Sequence, residues 1–152
     1  MMTVRTVAIY LLAVLVGTIL VSLANTHVDL QALAQIGAEI PVAVRVDASL
    51  RDLQGFAPTL LALNLIGFAI AFPVAGWVAH WLGPGSRLIG FALAGGLVVI
   101  VMMGAITVIY RALLDSTITP VAASRELSGL LTLALGGVIA GGLFASLKPA
   151  AD

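Results

Sequence analysis

Asn64 is the only amide side chain within any long apolar stretch of this chain, and an amide in hydrocarbon must find a partner or cost free energy. It lies about two turns in from the start of its stretch, and Thr18, Thr107 and Thr132 fall at similar depths in three others. Four hydrogen-bonding side chains at one height form a candidate polar layer. Its plain use is to fix helix packing. Its sharper use is to line a site or constriction for water or a small neutral solute.

Few other residues carry chemistry. His80 sits between Trp77 and Trp81, a grouping that suits an interfacial belt, with ligand binding or proton sensing as the sharper alternative. His27 and His80 fall at opposite ends of the apolar stretches, which excludes a bis-histidine haem. Arg51 and Asp52 are adjacent and, on a surface helix, contribute little as a pair. No Asp, Glu, Lys or Arg lies deep in an apolar run, whereas pumps and coupled exporters keep ionisable groups at mid-membrane. Paired membrane aspartates, or a serine with a base in reach, are also missing, so no protease constellation is present. The chain has no cysteine, which removes disulfides, thiol redox chemistry and thiolate metal sites. No catalytic, cofactor-binding or metal-ligating residue is assigned, and the expectation is a non-enzymatic protein without a cofactor.

The elements that hold these residues are membrane spans. A chain of 152 residues that is 61% hydrophobic and 9% charged is a polytopic membrane protein by composition. Four runs are long enough to cross: Thr6 to Ala24, Ala57 to Trp81, Arg87 to Tyr110 and Leu127 to Leu147. Backbone amides cannot go unpaired in lipid, and no alternating strands of barrel length occur, so the spans are helices. The fold class is all-α: a single domain over residues 1–152, an antiparallel four-helix bundle with a short amphipathic extramembrane segment between the first two helices.

Small residues predict where the helices touch. Gly67, Ala71, Ala75 and Ala79 recur every four residues on the second span, and Pro73 in the same helix should bend it. Gly83, Pro84 and Gly85 make a tight turn into the third span, where Ser86, Gly90 and Ala94 form one small row and Ala92 with Gly96 another. The fourth span carries the strongest motif, Gly137, Gly141 and Ala145, thickened by Gly136 and Ala140. Ala13 and Gly17 give the first span a modest equivalent. Thr119 and Pro120 are placed as cap and first residue of the last helix.

Residues 25–56 are too few for a core of their own. Asp29 to Ile40 has the spacing of a short interfacial helix. After Pro41, the sequence Val42, Ala43, Val44, Arg45, Val46, Asp47 alternates with period two and predicts a short strand. A lone strand needs an edge to pair with, so Val42, Val44 and Val46 are a candidate partner surface. Ser49 to Phe56 reads as one or two helical turns capped by Ser49, with Leu50, Leu53 and Phe56 toward the bilayer.

Met1 to Arg5 followed by an apolar run also describes a signal peptide, with Ser22 and Ala24 near a possible cleavage point. The run exceeds the usual signal length and three more spans follow, which favours a retained helix. Arg5, Arg87 and Lys148 lie in very short segments beside spans, while six of the seven acids lie opposite them, so both termini are expected in the cytoplasm of a bacterial inner membrane. Zero net charge offers nothing to nucleic acid. The expected partners are the lipid bilayer and either further copies of the chain or another membrane protein. The functional expectation is a self-associating protein or accessory subunit, with a passive channel built on the Asn64 layer as the alternative.

Overall fold

The structure is a computed structural model that describes residues 4–114 and 120–148. Five α-helices run in order: α1 (Val4–Gln35), α2 (Val42–Gly55), α3 (Ala57–Leu82), α4 (Arg87–Leu114) and α5 (Leu127–Leu147). Two single 3-10 turns, Pro84–Ser86 and Ala122–Arg125, complete the secondary structure, and no strand occurs among the described residues. Four of the helices, all except α2, are long and apolar enough to cross a membrane.

Those four pack in a ring. α5 lies chiefly against α4 and α1, α3 against α4, and α1 closes the ring on α3, while α2 rests across α1 and α3. Two apolar clusters fill the interior. One gathers Ile9, Ala13, Val14, Phe68, Phe72, Phe91, Ala140 and Phe144. The other, toward the α2 end, gathers Val21, Leu60, Val99, Met103 and Leu133.

The first helix is longer than the apolar pattern predicts. It has 32 residues, about 48 Å at ~1.5 Å per residue, so its last turns extend well beyond the run ending at Ala24. No separate helix occupies 29–40. Gly37 stops α1 instead, at φ +91°, with the Ala38 amide donating to the Leu33 carbonyl at 3.2 Å and the Gly37 amide to Ala34 at 3.1 Å. This is a Schellman end, which favours a residue without a Cβ in the left-handed position.

The predicted strand at 42–46 is a helix. Pro41 holds an extended backbone and its carbonyl takes the Val44 and Arg45 amides at 3.0 and 3.2 Å, starting α2. Val-rich alternation over six residues cannot separate the two periods, and a strand here would have had no partner edge. Ser49 is therefore not a cap; its hydroxyl donates to the Arg45 carbonyl one turn back, at 2.9 Å. α2 also turns two of its three expected bilayer-facing residues, Leu53 and Phe56, inward, while Leu50 is exposed as expected. Arg45, Ala48, Ser49, Asp52, Leu53 and Phe56 are half-buried on the bundle side, whereas Val42, Val46 and Leu50 point outward.

α3 runs without a break through Pro73, which is exposed, and ends where Gly83 turns to φ +94°. Pro120 is not the first residue of the last helix, because the 3-10 turn 122–125 intervenes and α5 begins at Leu127. Thr119 lies outside the described residues.

Candidate functional site

Along α1 the residues Thr18, Ser22, Asn25 and Asp29 follow one another at spacings of three and four, Thr26 stands four after Ser22, and the five share one face. All but Asp29, which is half-buried, are buried. They face α3 and α2 across a seam of polar contacts.

At its deep end, Asn64 of α3 donates from Nδ2 to the Thr18 hydroxyl at 3.0 Å, both side chains being buried. At its other end, the Thr26 hydroxyl lies 2.6 Å from Asp52 Oδ2 of α2 and also 3.2 Å from the Ser22 carbonyl. Asn25 Nδ2 lies between two carboxylates, 3.3 Å from Asp29 Oδ2 and 3.4 Å from Asp52 Oδ2. Asp29 stands beyond the apolar run 6–24. Its carboxyl is pushed above the ordinary aspartate range, first by burial and then by the nearby Asp52 charge, with Arg125 and the Asn25 hydrogen bond opposing.

Three buried side-chain atoms of this seam have no hydrogen-bond partner within the protein: Ser22 Oγ, Asn25 Oδ1 and Asn64 Oδ1. All three are oxygens, and each costs about 1–3 kcal/mol if left unmet. Hence the seam is rich in acceptors.

Beneath Thr18 and Asn64 the seam is shut. A Cβ added to Gly17 would come within 3.2 Å of the Phe68 ring and 2.8 Å of Ala140. Phe68 stacks on Phe72 at 5.0 Å between ring centroids, Phe72 on Phe144 at 4.6 Å, and Phe91 meets Phe144 at 5.3 Å. Tyr10 closes the edge of this cluster by donating its hydroxyl to the Leu65 carbonyl. Four of the five phenylalanines thus fill the half of the bundle away from α2.

Only half of the expected four-residue layer assembles. Thr18 and Asn64 meet. Thr107 instead donates to the Met103 carbonyl of its own helix at 3.0 Å, and Thr132 to the Ser128 carbonyl at 2.8 Å. Equal depth fixes height, not rotation, and a threonine can always satisfy itself one turn back. Ser22, Asn25, Thr26 and Asp29 went unnoticed as a set because the apolar run ends at Ala24; their common spacing was the available signal.

The small residues lie mostly inside the bundle. Gly137 faces the Gly95 carbonyl, Gly141 the Phe91 carbonyl, and Gly136 the backbone of Val21. Gly67 lies against the Val98 side chain. Ala75, Ala79 and Ala145 are buried, Ala71 and Ala94 half-buried, and Gly90 has open space where a Cβ would stand. Gly95, the counterpart of Gly137, is absent from the predicted rows; it lies on the Phe91, Gly95, Val99 line, where large neighbours disguise it. Val42, Val44 and Val46 are 75%, 49% and 54% exposed, on a helix rather than a strand edge. Trp77 and Trp81 meet edge to face at 5.8 Å on the outside of α3, beside an exposed His80.

Between α4 and α5 an apolar groove of about 580 Å³ opens outward, with Gly96 and Ala134 low in it and Leu93, Leu97, Leu131 and Leu135 along its walls. Those four leucines are each more than half exposed. Comparison with protein families, with curated proteins and with solved structures finds no match to this chain.

Proposed function

We propose that this chain is a small non-enzymatic protein of a bacterial inner membrane, an antiparallel four-helix bundle with both termini cytoplasmic, that works as a subunit by receiving a partner span. The antiparallel reading is supported by the α4 and α5 contacts, where Gly95 meets Gly137 and Phe91 meets Gly141, one turn along each helix in opposite directions. The observation that carries the subunit reading is the α4–α5 groove. Lipid provides no hydrophobic drive for helix association, so a groove with Gly96 and Ala134 near its floor favours close van der Waals contact with another helix. The small-residue rows lend less support than they promise in the sequence, since Gly137, Gly141 and Gly67 are engaged within the chain.

The test uses the lack of cysteine. Leu97→Cys and Leu135→Cys line the groove, and cross-linking in native membranes reports what enters it. A product of twice the chain mass identifies self-association, a heavier or unequal product identifies another subunit, and Leu135→Trp, which fills the groove, should abolish either. Absence of any cross-link, together with a single-chain mass by native mass spectrometry, would refute the subunit reading.

A passive channel is the second reading, favoured by the buried pair Asn64 and Thr18. The phenylalanine cluster below that pair weighs against a continuous path through one chain. Liposomes carrying the protein should therefore be no more permeable to water or glycerol than empty ones, and an excess that disappears in Asn64→Leu would restore the channel.

A further inference from the structure

Both tryptophans of the chain stand on the outside of α3 in its last two turns, away from the α4–α5 groove. Trp77 is 65% exposed and Trp81 76%, yet their rings meet edge to face, with centroids 5.8 Å apart and 66° between the planes. They make a corner. An indole face carries partial negative charge, so two faces set at an angle around an open space attract a cation, and a quaternary or substituted ammonium fits such a corner best. The protein makes one contact of this chemistry itself, with Lys148 Nζ 5.5 Å from the centroid of the Phe144 ring.

The position of the corner says where the ammonium comes from. α3 has 26 residues, about 39 Å at ~1.5 Å per residue against a hydrocarbon core of ~30 Å, so Trp81, next to its last residue, reaches headgroup height. Val74, Ile70 and Ile66 continue the line of Trp77 and Trp81 along the same helix, at spacings of three and four, and all three are exposed. From Trp81 to Ile70 is about 16 Å, the depth of one leaflet. A lipid with its headgroup at the corner lays a chain along that row. His80, exposed beside Trp81, has a ring N–H to give to phosphate in either protonation state. Every phospholipid has that phosphate, so the choice of headgroup falls to the tryptophans.

We propose that Trp77 and Trp81 bind the ammonium group of a zwitterionic phospholipid, with its phosphate beside His80 and an acyl chain along Val74, Ile70 and Ile66. An interfacial belt needs only aromatic rings at the right height and serves under any headgroup. The corner adds a preference, because a glycerol headgroup brings no cation to it. The site rests on the membrane placement proposed above and is independent of the α4–α5 groove.

The full chain in nanodiscs of phosphatidylethanolamine and phosphatidylglycerol in equal parts provides the test, with phosphatidylcholine replacing phosphatidylethanolamine in a second set. Native mass spectrometry counts the lipids that stay with the chain as the disc is stripped away. An ammonium lipid of either kind should be retained about fivefold over phosphatidylglycerol, as weak cation–π contacts at an exposed site would give. Trp77→Leu and Trp81→Leu should each bring retention close to parity, and since both rings are exposed neither change touches the core. The chain has no other tryptophan, so its emission reports the corner directly. As ammonium lipid is raised from zero in phosphatidylglycerol discs, half of the emission change should come at about one-sixth of the lipid. Equal retention of the two lipids by the parent would leave an interfacial belt only and would overturn the proposal. A preference that survives with both tryptophans replaced by leucine would place the lipid elsewhere and overturn it too. A chain that does not enter nanodiscs at all would refute the membrane placement itself, and this site with it.

Discussion

A methyl group placed on Gly137 would lie 2.2 Å from the carbonyl oxygen of Gly95, and one placed on Gly95 would lie 2.1 Å from the carbonyl oxygen of Gly137. The obstacle on each side is backbone, which cannot step aside as a side chain can. Gly137→Ala should therefore cost about 2 kcal/mol or more by forcing α4 and α5 apart. Gly142→Ala meets nothing within 4 Å and should be neutral or slightly stabilising. Unfolding of both variants in mixed micelles with rising denaturing detergent checks the contrast, and equal midpoints would refute the packing assigned to Gly137.

The Asn64 and Thr18 pair should show the asymmetry of a buried hydrogen bond. Thr18→Val leaves the amide with neither of its polar atoms met and should cost about 1–3 kcal/mol. Asn64→Leu removes both polar atoms together and should cost less, within the ~0.6 to ~1.7 kcal/mol found for interhelical hydrogen bonds in membranes. A double-mutant cycle on the same unfolding assay gives the coupling, and additive single effects would show that the bond contributes nothing.

Stability should also respond to acid in a particular direction. Burial first, and the Asp52 charge second, raise the Asp29 carboxyl in the folded chain, against Arg125 and the Asn25 amide. An acid raised in this way holds its proton more tightly folded than unfolded, so its contribution is complete below the ordinary value of 3.8 and is lost as pH rises from there through the folded-state value. Asp29→Asn, neutral throughout, should flatten that slope in Tm against pH. A parent whose slope matches that of Asp29→Asn across this window would refute it.

α2 makes a test of helix against strand that needs no structure. Single cysteines at Val42, Val46 and Leu50 should react readily with a membrane-permeant maleimide, while those at Ala48, Ser49 and Asp52 should be slower by several fold. Alternation of fast and slow at every second residue would restore the strand.

The spans were legible because hydrocarbon thickness imposes a length on any run that crosses it, and four runs meet that length. What defeated the reading of 42–46 was composition, since valines at 42, 44 and 46 satisfy the strand period while 42, 46 and 50 satisfy the helix. Tertiary context chose the helix by giving Asp52 a hydroxyl partner in Thr26 and by packing Phe56 against the second core cluster. Thr107 and Thr132 mark a different limit, because depth along a helix says nothing of azimuth about it. The acceptor seam was obscured by its own location: it straddles Ala24, where an apolar run gives way to a polar one, and neither half alone resembles a site.

The ring order of the helices has a consequence for how the protein is made. α1, made before the other helices described here, is covered by α5, made after them, through Gly136 against Val21 and Gly17 against Ala140. During synthesis α1 must wait with its notched side unoccupied while α2, α3 and α4 are made. Closure of the ring therefore waits for α5, and a chain halted before α5 displays an open flank on α1.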